Sequence, residues 1–320
     1  MPPNFTDPPS RPIRPDLVLG IDGGGTHTAA ILARRETGDI IGRGTGGPSN
    51  IQSVGVSAAM KGLDEAVDRA FQAAGLARVT VGSACLGLAG IDRNEGVDVI
   101  RGWADWVALA GTMSVANDAT LLLAAGTPLG WGLAVVCGTG SIAFVQTADG
   151  KVGRCGGWGY TLGDEGSGYQ IALAGLRAVC RAFDKCGPDT TLTAKFLQRM
   201  GLSEPPDLIP AVYRGPWDRA AISGLAPVVL DAADAGDEVA GAIVRREASE
   251  LAVTAAAAVR NHGLPATLPL ALTGGVVLRS EPYRASFLGG LREHGVTPDP
   301  IGLVSDPGLG AVVLARRAVV

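Results

Sequence analysis

At 320 residues the chain is long enough for two ordinary domains, and with 47% apolar and 18% charged residues it can bury a sizeable core, which excludes a disordered polymer. A net charge of −4 argues against a nucleic-acid-binding surface, which carries a basic patch. No apolar run reaches membrane-spanning length: the Ala-rich stretch 251–259 is closed off by Arg245, Arg246, Glu247, Glu250 and Arg260.

Residues 1–15, rich in Pro and without an apolar core segment, read as a disordered arm and not as a signal peptide. From Leu17 an apolar run ends at Asp22 and meets Gly23-Gly24-Gly25-Thr26; a second β-like run, Ala29–Leu32, leads to a turn at Glu36-Thr37-Gly38-Asp39. Ile40-Ile41 then gives way to Gly42, Gly44 and Gly46. A helix is predicted over 58–74, a strand over 79–88, a helix over 96–106, a strand over 112–116 and a helix over 119–125.

The opening order then returns. Leu133–Cys137 meets Gly138-Thr139-Gly140-Ser141, followed by Ile142–Val145, the turn Asp149-Gly150, Val152, and the glycines of 153–157. Two hairpins, each led by a glycine turn carrying a hydroxyl residue, predict a duplicated domain with its ligand held by both halves. Beyond the second hairpin the chain is mostly helical. Tyr169, Ala172, Leu173, Leu176, Val179, Cys180 and Phe183 fall on one predicted stripe, and a long helix covers 238–261. A strand over 268–272 ends at Thr273-Gly274-Gly275, a helix spans 283–294, and a Gly/Ala-rich helix follows Pro307.

Glycine turns after buried strands can cradle phosphate, because the missing Cβ lets backbone N–H groups approach closely. Neither turn is a Walker A loop and neither spells GxGxxG. Asp22 fits a turn-forming Asp or a carboxylate that meets phosphate through Mg²⁺ and water. Asp118 fits a helix N-cap or the base that takes a proton from an attacking hydroxyl. The run Gly156–Ser167, with Trp158 and the adjacent acids Asp164 and Glu165, suits a sugar site: an aromatic wall and carboxylates that accept from hydroxyls. The five cysteines form no CxxC pair and predict a reduced, cytoplasmic setting. His27, His262 and His294 are too scattered for a zinc site.

Together these residues resemble the BadF/BadG/BcrA/BcrD-type ATPase family of the actin/hexokinase/Hsp70 superfamily, most closely its N-acetylglucosamine and glucosamine kinases. The resemblance runs from about Leu17 to the end of the chain. It implies an α/β fold of two RNase H-like (actin-like ATPase) domains around an interdomain cleft, one made of 16–116 plus 307–320 and the other of 117–306. It implies ATP and Mg²⁺, with the nucleotide on Asp22, Gly23, Gly24, Gly25, Thr26, Gly138, Thr139, Gly140, Ser141, Ala233, Gly274 and Gly275. Asp22 would hold the metal through water. Asp118 would be the catalytic base, and Asn50, Asp118, Gly157, Trp158 and Asp164 would bind the amino sugar and present its 6-hydroxyl. Such kinases can carry Asn where this chain has Ile142, so the C2 substituent of the sugar stays open. No nucleic acid or membrane partner is expected, and a homodimer is compatible.

Three rivals differ in testable ways. Activator ATPases of 2-hydroxyacyl-CoA dehydratases or benzoyl-CoA reductases hold an iron–sulfur cluster through cysteines, whose clustered spacing is missing here. A non-catalytic sugar sensor would be expected to lose Asp118 or a phosphate turn, and repressor-type sugar kinases carry a Cys-rich zinc loop.

Overall fold

The apolar run at Leu17 is the centre of β1 (Ile13–Gly23) in a computed structural model that describes residues 11–88 and 94–318. Ile13 and Arg14 already pair with Thr80 and Val81, and the register shifts across Pro15 before pairing resumes at Val18. The predicted arm is therefore too long at its C-terminal end. A proline has no N–H for the ladder, and a bulge absorbs it. Residues 1–10 lie outside the described residues.

β1 pairs antiparallel with β2 (Thr28–Arg34), and β2 with β3 (Ile40–Gly46). On its other side β1 runs parallel to β4 (Thr80–Leu88), which runs parallel to β5 (Ala110–Ala116). The glycines expected to end the third strand instead lie inside it. A Cβ on Gly42, Gly44 or Gly46 would collide with the carbonyl oxygens of Ala70, Ala66 and Gly62. Every second strand residue thus meets every fourth residue of α2 (Val56–Ala73), which lies with its backbone against the sheet. Helices α1 (Ile51–Val54), α3 (Asn94–Trp106) and α4 (Asp118–Gly126) complete this stretch, and α13 (Gly308–Arg317) returns to it. Leu19, Leu63, Phe71 and Trp103 are buried on one face, and Val18, Ile31, Leu121 and Val312 on the other.

The second unit spans Trp131–Ser305, and the first takes the remainder up to Gly130 and from Asp306. The boundary falls later than the predicted break after Ala116. Gly310 of α13 packs directly on the Leu121 carbonyl, so α4 shares the core of the first unit.

In the second unit β6 (Gly132–Cys137), β7 (Ser141–Gln146) and β8 (Val152–Gly156) form an antiparallel meander. β9 (Thr267–Thr273) runs parallel to β6, and β10 (Thr297–Leu303) parallel to β9. The order β8-β7-β6-β9-β10 repeats β3-β2-β1-β4-β5, as the twinned hairpins predicted. Sequence reading missed β10, because Pro298 and Pro300 mask it; an edge strand tolerates both. Helices α5 (Gly168–Phe183), α6 (Leu192–Met200), α7 (Leu208–Arg214), α8 (Arg219–Ser223), α9 (Ala226–Asp234), α10 (Glu238–Asn261), α11 (Gly275–Arg279) and α12 (Glu281–Glu293) complete the unit. The predicted stripe on α5 holds at Ala172, Leu176 and Val179, but Cys180 and Phe183 are exposed and Ile171 and Ala182 are buried instead. Among the described residues no helix is long and apolar enough to cross a membrane.

Candidate functional site

Asp22 stands at the C-terminal end of β1, where the chain enters the first glycine turn. Gly24 N donates to His27 O at 3.0 Å, closing the turn. Ser49 N and Asn50 N both donate to Gly24 O, at 3.0 and 3.2 Å, so Pro48-Ser49-Asn50 is fastened to the turn's outer side. Ser49 Oγ occupies the space a side chain on Gly23 would need and is buried without a hydrogen-bond partner. Asn50 Oδ1 accepts from Gln52 N and caps α1. Thr26 Oγ1 lies 3.1 Å from His27 Nδ1 on the exposed edge of the turn.

Asp118 is the first residue of α4, not its cap. Asn117 is the N-cap, accepting from Thr120 N, while Asp118 Oδ1 accepts the neighbouring Ala119 N–H at 3.1 Å. The capping role that would have explained Asp118 structurally thus belongs to Asn117. Asp306, which sequence reading passed over, accepts from Gly308 N and pairs with Arg43 at 2.6 Å. Burial raises the Asp22 carboxyl above its ordinary value, and the charges of Asp118 and Asp306 push it the same way. Asp22 feels both of these charges, and a cation beside it would relieve the repulsion. Among the described residues no three acidic, His or Cys side chains converge as a direct metal cage.

In the second unit Gly138 N donates to Gly140 O at 3.0 Å, and Gly168 N to Gly138 O at 2.7 Å, tying the second glycine turn to the start of α5. Ser141 Oγ donates to Glu165 O, joining the turn to the Gly156–Ser167 loop. Gly274 has φ +107° and lies against the Cys137 carbonyl, where any side chain would clash. Gly275 consequently reaches the second turn.

A cavity of about 590 Å³ opens there. Gly138, Thr139, Gly168 and Ser223 line it together with Ala226, Pro227, Leu230 and Val276, so polar backbone and hydroxyl groups give way to an apolar surface. Arg279 stands on its wall, paired with Asp231 at 2.7 Å. Polar and apolar groups in one cavity of this size suit a ligand with phosphates and a flat base. Ala233, the expected base-side residue, lies a turn beyond Leu230 and does not line the cavity.

Asp164 is 3% exposed, in the left-handed conformation at φ +58°, and paired with Arg219 at 3.0 Å. Both groups lie against Gly140. Arg219 also stacks 5.3 Å from the Tyr160 ring centroid. Trp158 is 67% exposed with Arg154 beside it, and Gly157 packs on the Ile142 side chain. Behind the loop, Gly166 N donates to buried Glu247 and Gly166 O accepts from Tyr283. Arg219, Glu247 and Tyr283 escaped sequence reading. A charged residue inside an otherwise apolar helical face was the available signal for Glu247 alone.

Glycine turns at the ends of two identically ordered sheets, with carboxylates by one and an amphipathic cavity by the other, define a phosphate-handling α/β protein. The model of the BadF/BadG/BcrA/BcrD ATPase family matches residues 19–315, and the chain belongs to that family. It is 32% identical to the N-acetyl-D-glucosamine kinase of Dictyostelium discoideum, over 95% of this chain and 98% of the relative. It is also 32% identical to an N-acetylmuramic acid/N-acetylglucosamine kinase of Clostridium acetobutylicum, over 93% of this chain and 98% of the relative. Among solved structures, a candidate N-acetylglucosamine kinase of Chromobacterium violaceum superposes with TM-score 0.72 at 28% identity, covering 94% of this chain and 99% of the other.

Proposed function

We propose that the protein is an ATP-dependent hexosamine kinase transferring phosphate to the 6-hydroxyl of glucosamine or N-acetylglucosamine in the cytoplasm. The observation that carries this reading is the cavity at Gly138-Thr139, polar at one side and apolar at the other, beside the loop bearing Asp164 and Trp158. The relatives' near-full-length likeness supports the substrate class.

The second turn, Gly138 to Ser141, would hold the ATP phosphates with Gly23, Gly24, Gly25 and Thr26 of the first turn, and Gly274 and Gly275 would flank the adenosine. Asp22 would hold Mg²⁺ through water, and the ion supplies charge neutralisation on the phosphates. Asn50, Gly157, Trp158 and Asp164 would bind the sugar. Asp118 would orient the 6-hydroxyl and accept its proton. Alignment and electrostatic stabilisation would supply most of the acceleration.

A coupled ADP-release assay with glucosamine, N-acetylglucosamine, N-acetylmuramic acid, glucose and no sugar tests this reading. An amino sugar should give the fastest release. A sugar-independent rate as large as the best sugar rate would replace the kinase with a bare ATPase.

A further inference from the structure

A second cavity, of about 770 Å³, lies between α5 and α10 and shares no lining residue with the nucleotide cavity. Its walls carry three guanidinium groups: Arg177 and Arg181, one turn apart on α5, and Arg246 of α10. Asp189 and Glu238 stand among them, over an apolar floor that includes Ile243. Arg177 has no hydrogen bond or ion pair among the described residues. Arg181 donates to Cys186 O, so it is braced while its remaining N–H groups stay available.

The chemistry of the lining is selective. Planar guanidinium forks match phosphate oxygens. Carboxylates repel a bare anion but accept hydrogen bonds from hydroxyls. A ligand carrying a phosphate and several hydroxyls satisfies both sets, and the volume falls within the usual small-molecule range of roughly 300–1,000 Å³.

The cavity is also wired to the sugar-side loop. Arg246 pairs with Glu247 Oε1 at 2.8 Å, and Glu247 Oε2 accepts from Gly166 N at 3.2 Å. Glu247 is buried, and these two partners occupy its carboxylate oxygens. A phosphate on Arg246 competes with Glu247 for the same guanidinium and alters the support under the Gly156–Ser167 loop.

We propose that this cavity binds a phosphorylated sugar and that its occupancy is transmitted through Arg246 and Glu247 to the loop bearing Trp158 and Asp164, weakening sugar binding. The ligand class equals the reaction product, and to that extent the inference rests on the proposed function. Linkage then requires that sugar bound at the loop weakens the cavity's ligand by the same factor.

The test is calorimetric titration of the full chain with glucosamine 6-phosphate, N-acetylglucosamine 6-phosphate, inorganic phosphate and the unphosphorylated sugars, alongside inhibition of ADP release. The double variant Arg177→Ala/Arg181→Ala changes two exposed side chains, and an unchanged urea midpoint confirms its fold. It should bind a sugar phosphate at least tenfold more weakly at one of the wild-type sites, raise the inhibitory concentration at least tenfold, and keep basal turnover. Glu247→Gln should keep arginine-dependent binding and lose the inhibition. Binding and inhibition unchanged in the double variant overturn the site. Equal arginine-dependent binding of inorganic phosphate or of unphosphorylated sugar overturns the ligand class. If no sugar is phosphorylated, arginine-dependent binding of the sugar phosphate still stands by calorimetry, so failure of the kinase reading is distinguishable from failure of this one.

Discussion

The Tyr283 hydroxyl donates to the Gly166 carbonyl at 2.8 Å, fastening α12 to the end of the Gly156–Ser167 loop. The ring is fully buried, and the Cys137 thiol reaches the same carbonyl at 3.3 Å. Tyr283→Phe keeps the packing and leaves Gly166 O one donor, so it should cost about 1 kcal/mol in urea unfolding. Its larger effect should be a raised KM for sugar with ATP affinity unchanged, because the loop loses an anchor while the cavity at Gly138 does not.

Asn117 and Asp118 should separate cleanly. Asn117→Ala removes the cap of α4 and should lower stability by about 1 kcal/mol with turnover largely retained. Asp118→Asn leaves that cap in place and should cut phosphorylation ~10²–10⁴-fold while ATP still binds. Near-normal turnover of Asp118→Asn would remove the assigned base.

Asp237 governs acid stability at the start of α10. Burial acts to raise its carboxyl, but bonds from Ala240 N, from the Thr191 hydroxyl and N–H, and from the Thr190 hydroxyl outweigh it and hold it below the ordinary range. A carboxyl depressed in the folded state stabilises above its unfolded value, about 3.9, and loses that contribution as pH falls through the folded value. Urea midpoints of wild type and Asp237→Asn should therefore differ at pH 7, begin to converge below about pH 4 and meet once the pH has passed the depressed folded value. Parallel curves down to acid pH would show that the charge contributes nothing.

Thiol chemistry should follow burial. Complete burial pushes the Cys137 thiol up to about 12, and burial also raises Cys85. The thiolate is the reactive form. Iodoacetamide at pH 8 should modify exposed Cys180 and Cys186 in the native protein and spare Cys85 and Cys137 until denaturant is added. Partial burial and Asp184 raise the Cys180 thiol, so it should react more slowly than its exposure alone would allow. Labelling of Cys137 in the folded protein would contradict its packing under Gly166.

The amino-acid sequence by itself determined the parts that local chemistry dictates. Both glycine turns, the strands leading into them, the long helix 238–261 and the placement of Asp22 and Asp118 at strand and helix ends follow from short-range pattern and the residue types that turns and helix starts require. The repeated order of those parts carried the duplicated sheet as well. Tertiary structure alone decided what stands beside them. Arg219 meets Asp164 across 55 residues, Tyr283 meets Gly166 across 117, and Arg43 meets Asp306 across 263. No local preference encodes such pairs. They exist because folding brings distant elements together; at Asp164 and Gly166 a buried carboxylate or carbonyl also demands a partner from whichever element the packing delivers, while Arg43 and Asp306 meet at the surface.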